Sequence, residues 1–422
     1  MKKNIKDILF IFITIGLLFL LSIYILVKPV NEKSVEENRF LTSFRNLKES
    51  SFLDGSFQKI VEDSYTDQFP KRSFLVSIKK KIDDVSKNMV LPKMTELTLN
   101  RVSGQTINRL GNTSYMINMI IEATDINKER FKNRALEIND LQTRHPNVDI
   151  FVYVPTQAHE TSLFDKDSGI TAGAPELWQI FEDNIKVPFK RFDLNSFDLY
   201  KQAYYKSDHH PTHIGSDIFY NEIMNLIDPS IETLKPISTD CHVGKTFYGT
   251  FGSRTGFIYE PDEFCVYHYD VVPYDVYLKG ELAPDYTYRK DFESFDPKSD
   301  NAEHPYYYNI AYKVYDSSEF EHYDSLMIFD TKRPDLDNIL VIGDSYSSSV
   351  IDLIASHYNK TFRMLPYNEV IFNGKMFDYD NFIIDNDIDI VLFMYTAENY
   401  YYVDEWADRY EQTRILPNGG NK

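Results

Sequence analysis

The sequence predicts an α/β domain, a largely parallel sheet flanked by helices, preceded by an N-terminal transmembrane helix and a helical stalk. Three observations predict it. An uncharged apolar run lies near the amino terminus, short apolar strands alternate with helix-compatible stretches further on, and polar motifs stand directly after strands. Sheets of this class bind ligands outside the carboxyl ends of their strands, so those motifs are the first place to look for chemistry.

The elements follow in order. Residues 1–7 carry Lys2, Lys3 and Lys6, and Ile8 to Val27 is an uncharged run of twenty residues. Such a run crosses a hydrocarbon core of about 30 Å as a helix. Ser22 to Val27 offers no small-residue cleavage site, so the segment reads as an uncleaved anchor and not as a signal peptide. The leading lysines place the amino terminus in the cytoplasm and the main domain outside the cell membrane, with the lipid bilayer as a first partner.

Residues 28–98 read as the stalk. Phe52, Phe57, Ile60 and Val61 share one helical face, and Arg72 to Val90 sets lysines between apolar positions. The outward domain spans 99–422. Asn127–Arg144 reads as a helix, Asn147–Val154 as a strand closed by Pro155, and further strands run up to Gly343 and over Ile388–Met394. The stretch at about 239–331 breaks the alternation: rich in Tyr, Phe, Asp and Pro, with Gly249-Thr250-Phe251-Gly252-Ser253-Arg254 near its start, it reads as inserted strands and long loops.

Composition narrows the function. With 64 Asp and Glu against 45 Lys and Arg, the chain lacks the basic surface that phosphate neutralisation needs, so nucleic acid is excluded as a partner. Tyrosines, 31 of them, pair an apolar face with a polar tip, a combination suited to gripping sugars. Cys241 and Cys265 either pair across a short loop or stand as separate thiols.

Two motifs carry the chemistry. Ile339-Leu340-Val341-Ile342-Gly343-Asp344-Ser345 is an apolar strand ending in a tight turn that presents the Ser345 hydroxyl, and Ser207-Asp208-His209-His210-Pro211 supplies a carboxylate and an imidazole two residues apart. In an extended segment that spacing puts Asp208 and His210 on one side and turns His209 away. Asp208 then orients His210, which takes the Ser345 proton. Backbone N–H groups of Ser345 or its neighbours would meet the oxyanion. Gly-Asp-Ser by itself ends many strands without doing chemistry, so the assignment rests on the conjunction. A metal reading would gather Asp208, His209, His210 and His213 on one helical turn, which Pro211 opposes. No metal or other cofactor is expected.

These motifs resemble the DHHW protein family and the related AlgX/AlgJ-type alginate O-acetyltransferases, membrane-linked members of the SGNH hydrolase fold. Beside the two motifs above, Glu37-Asn38-Arg39-Phe40-Leu41, Asp54-Gly55-Ser56-Phe57 and Asp67-Gln68-Phe69-Pro70-Lys71-Arg72 look like the family's amino-terminal signature, and Val154-Pro155-Thr156 like its first core strand end. The histidine motif precedes the serine, the order of that group. One departure is that Pro211 stands where the family has Trp. The resemblance covers nearly all of the outward part. It implies Ser345 as nucleophile, His210 as general base and Asp208 as its partner, a membrane-bound acyltransferase that delivers acyl groups, and a cell-envelope polysaccharide that accepts them. The expected function is thus a membrane-anchored O-acetyltransferase or acetylesterase. A rival of another class is a non-catalytic polysaccharide-binding or scaffold protein.

Overall fold

The computed structural model describes all residues except 1–4, 32, 35–38, 50, 53–54, 73, 76–77, 80–81, 83–84, 87–97, 102–106, 112, 242–248, 252–259, 261, 264, 279, 284–325, 365–376, 402–408 and 418–422. The chain divides into two compact units, one made chiefly of residues 1–92 and one chiefly of the residues from 93 onward.

In the amino-terminal unit, a helix runs over Ile5–Val27. Among the described residues it alone is long and apolar enough to cross a membrane. Phe10, Phe12, Leu17 and Phe19 stand exposed along it. The segment read as a stalk begins with β1 (Lys33–Ser34), antiparallel to β2 (Arg39–Phe40), and a 3-10 turn at Phe44–Glu49. A helix over Ser56–Asp67 follows Gly55, whose φ of 80° suits glycine. The two residues at its end tie the unit together. Asp67 Oδ2 accepts from Thr42 N at 2.9 Å, while the Gln68 amide accepts from Asn31 N at 3.1 Å and donates to the carbonyls of Asn31 and Thr42. The signature residues Asp67 and Gln68 thus have a local structural task. From Arg72 to Ser86 the described positions are helical. Glu37, Asn38, Asp54 and the end of the Arg72–Val90 run lie outside the described residues, as do Lys2 and Lys3.

The second unit opens with β3 (Leu99–Arg101), β4 (Ile107–Leu110) and β5 (Met116–Asn118), an antiparallel trio. Its centre is an eight-stranded sheet in the order β11-β10-β12-β14-β13-β15-β6-β7. Here β6 is Asp149–Val154, β7 Phe189–Arg191, β10 Asp275–Leu278, β11 Glu281–Leu282, β12 Leu326–Asp330, β13 Ile339–Gly343, β14 Lys360–Met364 and β15 Ile390–Met394. Neighbours from β7 through β6, β15 and β13 to β14 are parallel. Beyond β14 the sheet turns antiparallel, and β10 to β12 all come from the stretch read as an insertion. That stretch therefore widens the sheet instead of standing apart from it. Of the insertion, 284–325 lie outside the described residues.

Strand alternation builds the two sides of the core. Phe151, Tyr153, Ile339, Val341, Leu392 and Met394 share one apolar cluster with Phe219 and Leu353. Their neighbours in sequence, Ile150, Val152, Leu340, Ile342, Val391 and Phe393, join Phe131 and Trp178 in the other. Burial on both faces explains why these strands read as unbroken apolar runs. Helices Phe197–Ala203 and His213–Ile227 serve the first cluster, and Asp125–Arg144 and Ala174–Asn184 the second. Cys241 and Cys265 are joined in a disulfide, directly opposite each other in the antiparallel pair β8 (Ser238–Cys241) and β9 (Cys265–His268).

Candidate active site

Ser345 leaves the carboxyl end of β13 and starts a 3-10 turn over Ser345–Ser349. A side chain at Gly343 would press on Ser347 and on the Met394 carbonyl, so the turn needs glycine there. Asp344 caps the turn and binds it to the next strand end. Its Oδ1 accepts from Tyr346 N at 3.1 Å, and its Oδ2 accepts from Thr396 N at 2.8 Å, Thr396 Oγ1 at 2.6 Å and Asn399 Nδ2 at 3.1 Å. Arg363, fully buried on β14, braces the far side by donating from Nε to Ser347 Oγ at 3.0 Å and from Nη2 to Ser348 Oγ at 2.5 Å. Between the buried Asp344 and Tyr346, Ser345 stays partly exposed.

The histidine motif meets the serine from the other side. His210 Nε2 lies 2.8 Å from Ser345 Oγ, and His210 Nδ1 lies 2.6 Å from Asp208 Oδ1. All three residues predicted as a triad are therefore in one hydrogen-bonded chain. They arrive there by a different local geometry from the one expected. Residues 207–210 bend instead of extending, and Asp208 Oδ1 also accepts from the His210 backbone N at 2.8 Å. This is an Asx-type turn, in which a short carboxylate side chain bonds the amide two residues on. The same turn corrects the expectation for His209. Its ring sits beside that of His210, 3.9 Å between centroids, and does not point away. The Tyr346 ring lies 5.2 Å from His210, and its hydroxyl donates to the His209 carbonyl. Aromatic faces beside His210 thus come from His209 and Tyr346, while Pro211 forms a bridge with Tyr204 that closes the loop.

Electrostatics at Asp208 oppose one another. Burial would raise its carboxyl, yet His210, His209 and the Thr250 amide outweigh burial and hold it well below the usual carboxylate range. The site thus contains a buried anion facing the imidazole. Ligand atoms of Asp208, His209 and His210 lie within 4.8 Å of one another, close enough to hold a metal ion. His213, the fourth member of the metal reading, instead packs edge-on against Tyr267 at 4.6 Å.

The fold is shared with solved structures. A DHHW family protein from Eubacterium siraeum aligns with a TM-score of 0.51 and 15% identity, over 72% of this chain and 95% of that one. PatB1 from Bacillus cereus, in a structure carrying a sulfonyl adduct, aligns at 0.51 and 18% identity, over 69% of this chain and 95% of its own. A second PatB1 structure gives 0.50 and 19%, over 70% and 97%. This chain has the DHHW-type fold. No family model matches its sequence, and neither does any curated protein.

Sequence reasoning missed the supports of this site. Thr396 and Asn399 carried one usable signal, a polar Thr-x-x-Asn one residue past an apolar strand. Arg363 gave none, because an arginine in a strand reads as exposed until the neighbouring turn is known. Of the backbone donors proposed for an oxyanion, the Tyr346 N–H is engaged by the Asp344 side chain and the Ser347 N–H by the Asp344 carbonyl.

Proposed function

We propose that this chain is a serine-dependent O-acyltransferase of the cell envelope, with Ser345, His210 and Asp208 as its catalytic residues on an SGNH hydrolase-like sheet. The observation that carries this reading is the hydrogen-bonded chain from Ser345 Oγ through both ring nitrogens of His210 to Asp208. In the first half-reaction His210 Nε2 takes the hydroxyl proton as Ser345 Oγ bonds to the acyl carbon. The tetrahedral oxyanion collapses, and the leaving group departs with the proton from His210. In the second half, an acceptor hydroxyl gives its proton to His210 and attacks the acyl-serine, which restores Ser345. A polysaccharide hydroxyl as acceptor gives transfer, and water gives esterase activity.

The apolar helix Ile5–Val27 supports a single-pass anchor, with residues 28–98 as the stalk and 99–422 as the outward domain. Its amino-terminal lysines support a cytoplasmic tail. A membrane-bound acyltransferase would supply the acyl group, and a cell-envelope polysaccharide would receive it. The test uses full chain in detergent with an activated acetyl ester and, separately, a sulfonyl fluoride. Mass spectrometry should find both adducts on Ser345 and none at that position in Ser345→Ala. Equal acetylation and turnover in Ser345→Ala would leave the non-catalytic scaffold reading in its place.

A further inference from the structure

Asp208 has two oxygens, and His210 engages one of them. Oδ1 serves His210 twice, at its backbone N and at Nδ1. Oδ2 accepts from the backbone N–H of Thr250 at 2.5 Å. That donor comes from the inserted stretch, 42 residues further along the chain. Gly249 is buried, and a Cβ built on it would overlap Cβ, Cγ and Oδ2 of Asp208. Backbone reaches this carboxylate only because residue 249 has no side chain.

The approach is held from several points. Gly249 N donates to Ser207 Oγ at 3.0 Å, and Phe251 N donates to the Ser207 carbonyl at 2.9 Å. Asp262, also from the insertion, accepts from Lys206 N at 2.8 Å, Ser207 N at 2.9 Å and Ser207 Oγ at 2.6 Å. Residues 249–251 and 262 therefore grip the segment just before Asp208 from two sides. The Thr250 bond to Oδ2 thus comes from outside the Asp208 loop.

We propose that the Gly249-Thr250 step is a positioning element of the active site: its glycine admits the backbone, and its Thr250 N–H fixes the Asp208 carboxylate plane so that Oδ1 faces His210 Nδ1. The inference rests on the catalytic reading above only for its effect on rate; the geometry is independent of it. A carboxylate held at one oxygen can rotate about its Cβ–Cγ bond. Holding the second oxygen removes that freedom, and with it the misaligned states of the imidazole.

The test uses the full chain in detergent. Gly249→Ala crowds the carboxylate. Thr250→Pro removes the N–H, and Thr250→Ser returns it. The low-field proton resonance of the His210 Nδ1–H bond should be present in wild type and lost or shifted upfield in Gly249→Ala and Thr250→Pro. Their kcat should fall roughly 10- to 100-fold with KM within about twofold, as expected for a misplaced group that does not bind substrate. Thr250→Ser should restore both readouts. For the case where the first two variants fail to fold, the Thr250 amide resonance in selectively labelled protein should move upfield in Asp208→Asn, which keeps the backbone intact. An unchanged low-field resonance and kcat in folded Gly249→Ala and Thr250→Pro, or an unmoved Thr250 amide in Asp208→Asn, overturns the proposal. Because the resonances report the Asp208 bonds whether or not Ser345 reacts, failure here is separable from failure of the Ser345 labelling.

Discussion

Two buried carboxylates near the carboxyl ends of the sheet strands take opposite electrostatic states. Asp208, on the histidine loop, is held well below the usual carboxylate range by His210, His209 and Thr250 despite its burial. Glu160 follows β6 in the run Thr156-Gln157-Ala158-His159-Glu160 and is fully buried. Burial pushes its carboxyl up to about 8, against a weaker pull from Arg191 and the amides of Gln157 and Ala397. Its neighbour His159 is pushed down to about 3 by burial. Both groups after β6 are thus neutral at pH 7. Burial is common to the two regions, so the difference lies in what opposes it. The imidazoles of His210 and His209, with hydrogen bonds from His210 and Thr250, outweigh burial at Asp208, whereas the pull of Arg191 and the amides of Gln157 and Ala397 does not outweigh it at Glu160. One region is thus built to hold a charge and the other to bury polar side chains in neutral form.

The largest test of that contrast is at the hydrogen-bonded chain of Ser345, His210 and Asp208. Ser345→Ala and His210→Ala should each lower acyl turnover by roughly 10⁴-fold or more, measured with an activated ester. Asp208→Asn should approach the same loss, about 10⁴-fold, if the charge and the tautomer it sets both matter. A loss below about tenfold would show that the buried anion is not used by the chemistry.

Stability is the readout on the other side. A carboxyl raised to about 8 in the fold destabilises it as pH climbs from the unfolded value of 4.5 to about 8, because over that window the folded state binds more protons. Glu160→Gln should therefore stabilise the protein at pH 7 by about 3 kcal/mol and flatten its stability over that window, at about 1.4 kcal/mol per pH unit. His159 works the other way. Its stabilising contribution is complete above 6.5 and is lost as pH falls from 6.5 toward about 3, since the unfolded state there binds more protons. His159→Gln should remove that acid-side slope. Denaturant melts from pH 4 to 9 check both, and unchanged slopes in the two variants would erase the contrast.

The smallest expected effect concerns His209. Its ring packs on His210 and its Nδ1 stands 3.7 Å from Asp208 Oδ1, so it lies against the Asp208–His210 pair. His209→Ala should cost about 2- to 10-fold in kcat, the range of a lost aromatic contact worth ~0.5–1.5 kcal/mol. A loss as deep as that of His210→Ala would move His209 into the reacting group.

Much of this was legible from the chain alone. Runs such as Ile339–Gly343 and Ile390–Met394 are apolar at every position because both sheet faces are covered, and such runs can be read without knowing their partners. Asp208, His210 and Ser345 were legible because a carboxylate, an imidazole and a strand-end hydroxyl are rare enough together to stand out. The spacing acts through a turn and not through strand alternation. Alternation in an extended segment and an Asx turn both put residues i and i+2 on one side, but only the turn brings the intervening His209 ring beside His210.

What the sequence by itself determined is the local material: which segments can be strands, where a hydroxyl can be exposed, and which helix is apolar enough to enter a bilayer. These depend on side-chain periodicity and on composition within a short window. Tertiary structure alone decided that the insertion would add β10 to β12 to the same sheet, that Cys241 would face Cys265, and that Thr250 would bind Asp208. It also decided that one buried carboxyl would be charged and the other neutral. Each of these depends on contacts between residues distant in sequence, and a donor's position relative to a carboxylate oxygen has no local signature in either segment.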